Sequence, residues 1–294
     1  MRLAIIVVIG LFAAYAHGQV LDNRNGEAFT DVPFFNKEFI ETNRIKRFNA
    51  YYVFKKKGDV MRDSEYKNVY EFDEHGHLIS SYETRQDDGT KDTIWNLYDY
   101  DAVGNLIRHR KTDLDGFTTV EYSYDSLGRV VQERFLREVD SVNHGIVRSL
   151  LFNEERIVYA EYDRQLKRTR YNNYNLPYLD EFFNYNELGY MVSREERIKM
   201  TSTVYSYAYE YNETGRLAAI RKTSNRSEGV IEEMKFRYDA LGNLIEKHIY
   251  RDGEFTTDVQ IVYNSQTKLL SSVITRQVST GFLIVLRFQE CDFY

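Results

Sequence analysis

The same pattern returns nine times along this chain, and no other feature restricts the fold so tightly. Its template is the stretch YDYDAVGNL at residues 98–106, repeated as YSYDSLGRV at 122–130 and FRYDALGNL at 236–244. Further copies centre on Gly58, Gly76, Gly189 and Gly215, and two degenerate copies carry Arg156 and Thr267 in the glycine slot. The slots six and four residues before the glycine are aromatic in 16 of 18 cases, against 15% aromatics overall, so the columns are not chance. Only Leu150 and Ile261 fail. The slot three before the glycine is Asp or Asn in every copy except that of Lys55, and the slot two after it is always Val, Leu or Met.

Each column has a mechanical reason. Asp or Asn opening a turn bonds its own backbone, and Gly three residues on takes positive φ without a Cβ clash, which together make a type I turn followed by a left-handed residue. Asp101 with Gly104, Asp125 with Gly128, Asp239 with Gly242, and Gly215 are therefore structural turn residues joining hairpins. The extra residue forms a bulge, which places Tyr100 opposite Leu106, Tyr124 opposite Val130 and Tyr238 opposite Leu244. Asp88-Gly89, Asp115-Gly116 and Asp252-Gly253 turn the chain at the far end of each unit. The reading is all-β: one long antiparallel meander of about 18 to 20 strands, more than an open twisted sheet holds without curling. It must curl, spiral or close on itself, with the tyrosine face concave. A second apolar column at Ile79, Ile107, Val131 and Ile245 faces the other way.

Composition agrees where it bears on this. Average usage would supply about fifteen prolines; the chain has 2, as a nearly continuous ladder requires. Residues 1–18 read as a signal peptide: a basic start at Arg2, an apolar run, and Ala16-His17-Gly18 before a cleavage point at Gln19 with no cysteine for lipid attachment. Export to the periplasm, cell surface or medium is expected, and the single cysteine, Cys291, forms no internal disulfide. Loss of Arg2 would leave 38 basic and 45 acidic side chains, which argues against nucleic acid as partner. Residues 19–50 form a separate segment ahead of a repeat domain at 51–294. Asp31, Pro33 and the spacing of Val32, Phe35 and Phe39 predict a helix over 33–42, capping the exposed edge of the first strand. Residues 171–177 are the most irregular stretch of the array and predict a kink.

The repeat resembles the YD-repeat, or rearrangement-hotspot (RHS), family of bacterial surface and toxin-shell proteins, most fully at 113–130, and the resemblance covers about residues 51–270. It implies a spiralling antiparallel sheet and an association with carbohydrate or cell-surface binding. In large members the sheet wraps into a shell ending in an aspartate-proline cleavage segment. Neither Pro33 nor Pro177 follows an aspartate, so the shell-and-cargo role does not carry over directly.

Chemistry is sparse. No phosphate-cradling glycine loop, nucleophile elbow, Cys-x-x-Cys or His-Glu-x-x-His is present. His75 and His77 lack a third metal ligand, and the acidic pairs Asp87-Asp88, Glu154-Glu155, Glu195-Glu196 and Glu232-Glu233 read as solvated charge rather than a glycosidase pair. An integral outer-membrane barrel is disfavoured because residues 107–111 read IRHRK and residues 194–199 are similar, charging both faces. No catalytic residue, metal or cofactor is assigned. The expectation is a non-enzymatic exported scaffold that binds a glycan or surface protein through aromatics, with Trp95, Tyr174, Tyr98, Tyr122 and Tyr209 as candidates. A shell enclosing a separate polypeptide and a glycan-active enzyme are the alternatives.

Overall fold

The computed structural model describes residues 19–87, 90–113, 116–140 and 146–294; the expected signal peptide at 1–18 lies outside them. One short helix, α1 (Lys37–Thr42), precedes eighteen strands. These are β1 (Ile45–Lys55), β2 (Arg62–Phe72), β3 (Leu78–Asp87), β4 (Thr90–Tyr100), β5 (Leu106–Asp113), β6 (Gly116–Tyr124), β7 (Val130–Asp140), β8 (Ile146–Tyr162) and β9 (Gln165–Tyr171). There follow β10 (Pro177–Tyr185), β11 (Met191–Ile198), β12 (Thr203–Tyr211), β13 (Leu217–Ser224), β14 (Val230–Tyr238), β15 (Leu244–Arg251), β16 (Glu254–Tyr263), β17 (Leu270–Gln277) and β18 (Phe282–Phe293). Each strand pairs antiparallel with its neighbours in sequence, and β1 pairs with both β2 and β18, so the meander closes into a barrel. Closure removes the edges that a long sheet would otherwise expose.

The template turns form as their residues dictate. In the 101–104 turn the Asp101 carboxylate accepts from the backbone N–H groups of Val103 and Asn105, and Gly104 has φ 91°. Asp125 and Asp239 repeat this with Gly128 at 72° and Gly242 at 90°. Register shifts follow at the expected bulges, and the pairs Tyr100 with Leu106, Tyr124 with Val130 and Tyr238 with Leu244 all form. The hydroxyls then tie successive repeats together: Tyr100 donates to the Leu78 carbonyl, Tyr124 to Leu106, Tyr211 to Met191 and Tyr263 to Leu244.

Three local expectations are corrected. Arg156 lies within the unbroken strand β8, so no turn forms there; the chain turns at residues 163–164, with Arg164 at φ 55°. The stretch 171–177 is no kink but a regular repeat turn, in which Asn172 plays the aspartate and Asn175, at φ 58°, plays the glycine. Asparagine reaches that backbone region because its short polar side chain bonds locally. The strand-rich part begins at Ile45 rather than residue 51, because β1 extends to pair with the end of β18.

The N-terminal segment is a plug, not an edge cap. Residues 20–22 and 34–36 run antiparallel, with Asp22 N–H to the Phe34 carbonyl at 2.7 Å and Asn36 N–H to Val20 at 2.9 Å. This pairing holds residues 34–36 extended and delays the helix to Lys37, behind an Asn36 cap, instead of the expected residue 33. Val20, Leu21, Ala28, Phe34, Phe35 and Ile40 are buried in one cluster with Phe48, Tyr70 and Phe72 on one side and Leu217, Ile220 and Phe236 on the other. Those partners lie on β1, β2, β13 and β14, so the segment packs inside the barrel across one arc of its wall. Phe35 stacks on Phe48 at 5.5 Å and meets Tyr70 and Phe72 edge-on at 4.9 and 5.0 Å.

Candidate ligand site in the barrel lumen

Strand alternation divides every β residue between lumen and exterior. On β4, Ile94, Asn96 and Tyr98 point inward, and Trp95, Leu97 and Asp99 point outward. The outer face is laddered with ion pairs: Arg47 with Glu71, Arg108 with Asp99 and Glu121, Arg134 with Glu121 and Glu154, Lys167 and Lys199 with Asp180, Arg221 with Glu210 and Glu233, and Arg276 with Asp258. The lumen opposite the plug carries a second network, in which Arg170 bridges Glu133, Glu155 and Glu181, and Glu181 also takes Arg168 and Arg194. Glu181 stays ionised below its ordinary value, because its three guanidinium partners outweigh the burial that would raise it.

Alternation also splits the paired acids. Glu155 faces inward to Arg170 and Tyr178, with Glu154 outside near Arg134; Glu196 faces Tyr207 inside, with Glu195 outside on Arg197. In these two pairs the neighbouring carboxylates therefore face opposite sides of the barrel wall. His77 is held by Asp73 at 3.0 Å and stacks on Tyr100, and His75 lies 4.0 Å from Glu41. Among the described residues no cluster of three or more His, Cys, Asp or Glu has metal-binding geometry.

A cavity of about 650 Å³ lies between the plug and the inner faces of β1–β5 and β15–β18. Its two walls differ. One is polar: Asn68 donates to the Tyr52 hydroxyl at 2.9 Å, Tyr52 donates to Glu83 at 3.1 Å, and Ser81 and Asn96 lie alongside. Burial pushes the Tyr52 hydroxyl up to about 12, which keeps it a neutral donor. The other wall is aliphatic, built from Ile249, Val259, Val273, Ile284 and Leu286. The plug supplies Phe29, Thr30, Asp31 and Phe34, with Asp31 paired to Lys111. Lys247 lines the cavity at 8% exposure, and its ammonium donates to the carbonyls of Gly26 and Ala28 at 3.4 and 3.2 Å.

The aromatics singled out from the sequence are not gathered here. Tyr98 alone lines the cavity, but its ring stacks on His109 at 4.8 Å and its hydroxyl is spent on the Asp31 carbonyl. Trp95 packs on Tyr82 on the outer side of β4, Tyr174 stands 78% exposed on a turn, Tyr122 belongs to the lumen beside the arginine network, and Tyr209 packs against the plug core. Alternation puts Tyr98, Tyr122 and Tyr209 on the inner face and Trp95 on the outer one, and the three inner tyrosines stand at separate places along the wall. The polar wall is built from Tyr52, Asn68, Ser81, Glu83 and Asn96, which the sequence reading passed over. Their signal was the inward column itself, where β2, β3 and β4 interrupt the apolar pattern with polar residues at alternate positions.

Fold and site together define a closed eighteen-stranded antiparallel barrel with its own N-terminal segment as a plug. The chain carries an RHS repeat: residues 100–134 match the RHS Repeat family model. No curated protein sequence matches it. Among solved structures it is similar to a porin-like protein from Bacteroides uniformis, at 8% identity and TM-score 0.40 over 83% of this chain and 98% of that one. A porin-like protein from Bacteroides vulgatus matches at 9% identity and TM-score 0.36 over 83% and 97%. The TcdB2-TccC3-Cdc42 structure matches at 13% identity and TM-score 0.26, over 79% of this chain and 15% of that one. At these identities and scores the likeness carries nothing about ligand, location or assembly.

Proposed function

We propose that the protein is an exported, non-enzymatic binding barrel that works in water and takes a small amphiphilic ligand into its lumen. The cavity with one hydrogen-bonding wall and one aliphatic wall carries this reading, since its size falls within the range of small-molecule sites and its walls suit a ligand with a polar edge and an apolar body. Export rests on the leader pattern at residues 1–18. The aqueous setting rests on the outer ion-pair ladders, because each Arg or Lys facing lipid at mid-bilayer would cost about 2 to 4 kcal/mol. A saccharide ring is the second reading, favoured by the Tyr52, Asn68 and Glu83 chain, since a pyranose offers an apolar C–H face and a hydroxyl edge. The enclosing-shell alternative loses its motive, because the polypeptide in this lumen is the protein's own plug. A thermal-shift screen of amphiphiles and saccharides tests the proposal. A hit that raises the melting temperature and weakens in Asn68→Ala and Ile284→Asn is expected; no hit in either class would overturn it.

A further inference from the structure

The cavity holds two cations with different circumstances. Lys111 is neutralised by Asp31. Lys247 is not: it is nine-tenths buried, and among the described residues no carboxylate pairs with it. Its ammonium has three donors, two of which go to the Gly26 and Ala28 carbonyls of the plug. Two neutral carbonyls orient an ammonium without cancelling its charge, and burying such a charge without a counter-ion is unfavourable. The fold tolerates this at a position that lines a cavity. Burial accordingly lowers the lysine pKa, with only Glu232 and Glu27 opposing the effect through space.

The surroundings of the amine narrow what completes the pair. Lys247 shares the inner face of β15 with Ile249, and Val259 stands directly across from it on β16. Val273, Ile284 and Leu286 continue the same aliphatic wall across β17 and β18. On this wall a ligand's anionic group meets Lys247 and its body then runs over hydrocarbon. Of the two carboxylates in the cavity lining, Asp31 is paired with Lys111, and Glu83 stands on the opposite wall, where it accepts from Tyr52. Resting on the reading of the cavity as a ligand site, we propose that the ligand is a hydrophobic monocarboxylic acid. Its carboxylate takes the free donor of Lys247 and its alkyl or ring body lies along Ile249, Val259 and Leu286. No covalent step is involved.

The test uses residues 19–294 and three probes of equal chain length, octanoate, octanol and octylammonium, measured by calorimetry. Octanoate should bind at least tenfold more tightly than the other two, and decanoate more tightly still, since each added methylene contributes roughly a three- to fourfold gain. In Lys247→Met the preference for acid over alcohol should vanish. Because that variant also loses two contacts to the plug, its melting temperature and circular dichroism are checked alongside; the wild-type comparison stands without it. Equal binding of acid and alcohol, or a preference for octylammonium, overturns the proposal and leaves the lumen as a binding site. If no probe and no saccharide binds, the ligand-site reading falls with it.

Discussion

At the residue scale, the repeat works because two residue types solve two backbone problems. Asp or Asn takes the orphan N–H groups of the turn, and Gly takes the left-handed position. The strain of that position is common to all the template glycines, but their surroundings differ. A Cβ at Gly76 would stand 2.3 Å from the Lys37 carbonyl oxygen, whereas one at Gly128 would meet nothing within 4 Å. Gly128→Ala should therefore cost about 1 to 2 kcal/mol, the left-handed penalty alone. Gly76→Ala should cost clearly more, because the first turn of α1 must also move. Urea midpoints measure both, and equal shifts would contradict the close packing of α1 on this turn. The turn aspartates also set an acid response. A side-chain bond from Asn105 and backbone N–H groups hold the Asp101 carboxyl below its ordinary value, and the Arg129 backbone N–H leads in doing the same for Asp125. For a depressed folded value the stabilisation is complete above the unfolded pKa, about 3.9, and is lost as pH falls through the lowered folded one. Asp101→Asn with Asp125→Asn should fold, since Asn186 and Asn212 already serve in other copies. It should lose less stability than the parent between about pH 4 and pH 2, read from urea midpoints across that range.

At the element scale, hairpins are joined by tyrosine and the plug packs against the inner wall of the barrel. The Tyr124 hydroxyl donates to the Leu106 carbonyl at 2.6 Å, linking one repeat to the one before. Tyr124→Phe keeps the ring opposite Val130 and strands one acceptor, so a loss of about 1 kcal/mol is expected. No change in the denaturation midpoint would mean that the hydroxyl is incidental. The plug depends on shape. Phe35 is buried among Phe34, Phe48, Tyr70 and Phe72, so Phe35→Ala should cost about 3 to 5 kcal/mol. Limited proteolysis should then cut within residues 19–36, which the parent protects.

At the scale of the whole molecule, strand pairing is local except at one seam. Strands β2 to β17 pair with their neighbours in sequence, and only the β1–β18 ladder joins the two ends of the chain. Removing residues 282–294 would leave β1 and β17 as open edges. Such edges template pairing between chains, so the truncated protein should form oligomers visible by light scattering. A monomeric truncation with the parent's melting temperature would show that closure is not what keeps the barrel apart.

Turn type, bulge position, the pairing of Tyr100 with Leu106 and a strand number near eighteen were legible in the residues, because each depends on neighbours within one hairpin. Such contacts repeat, and repetition makes them stand out from the rest of the chain. Degenerate turns were legible less well: Asn175 does a glycine's work without looking like one, and Arg156 sits in register without turning. Tertiary structure alone decided that the sheet closes, that residues 19–36 enter the lumen, and that Tyr52, Glu83 and Lys247 come to line one cavity. Those residues lie on strands far apart in sequence, and no local period records which of them the curvature of the sheet will bring face to face.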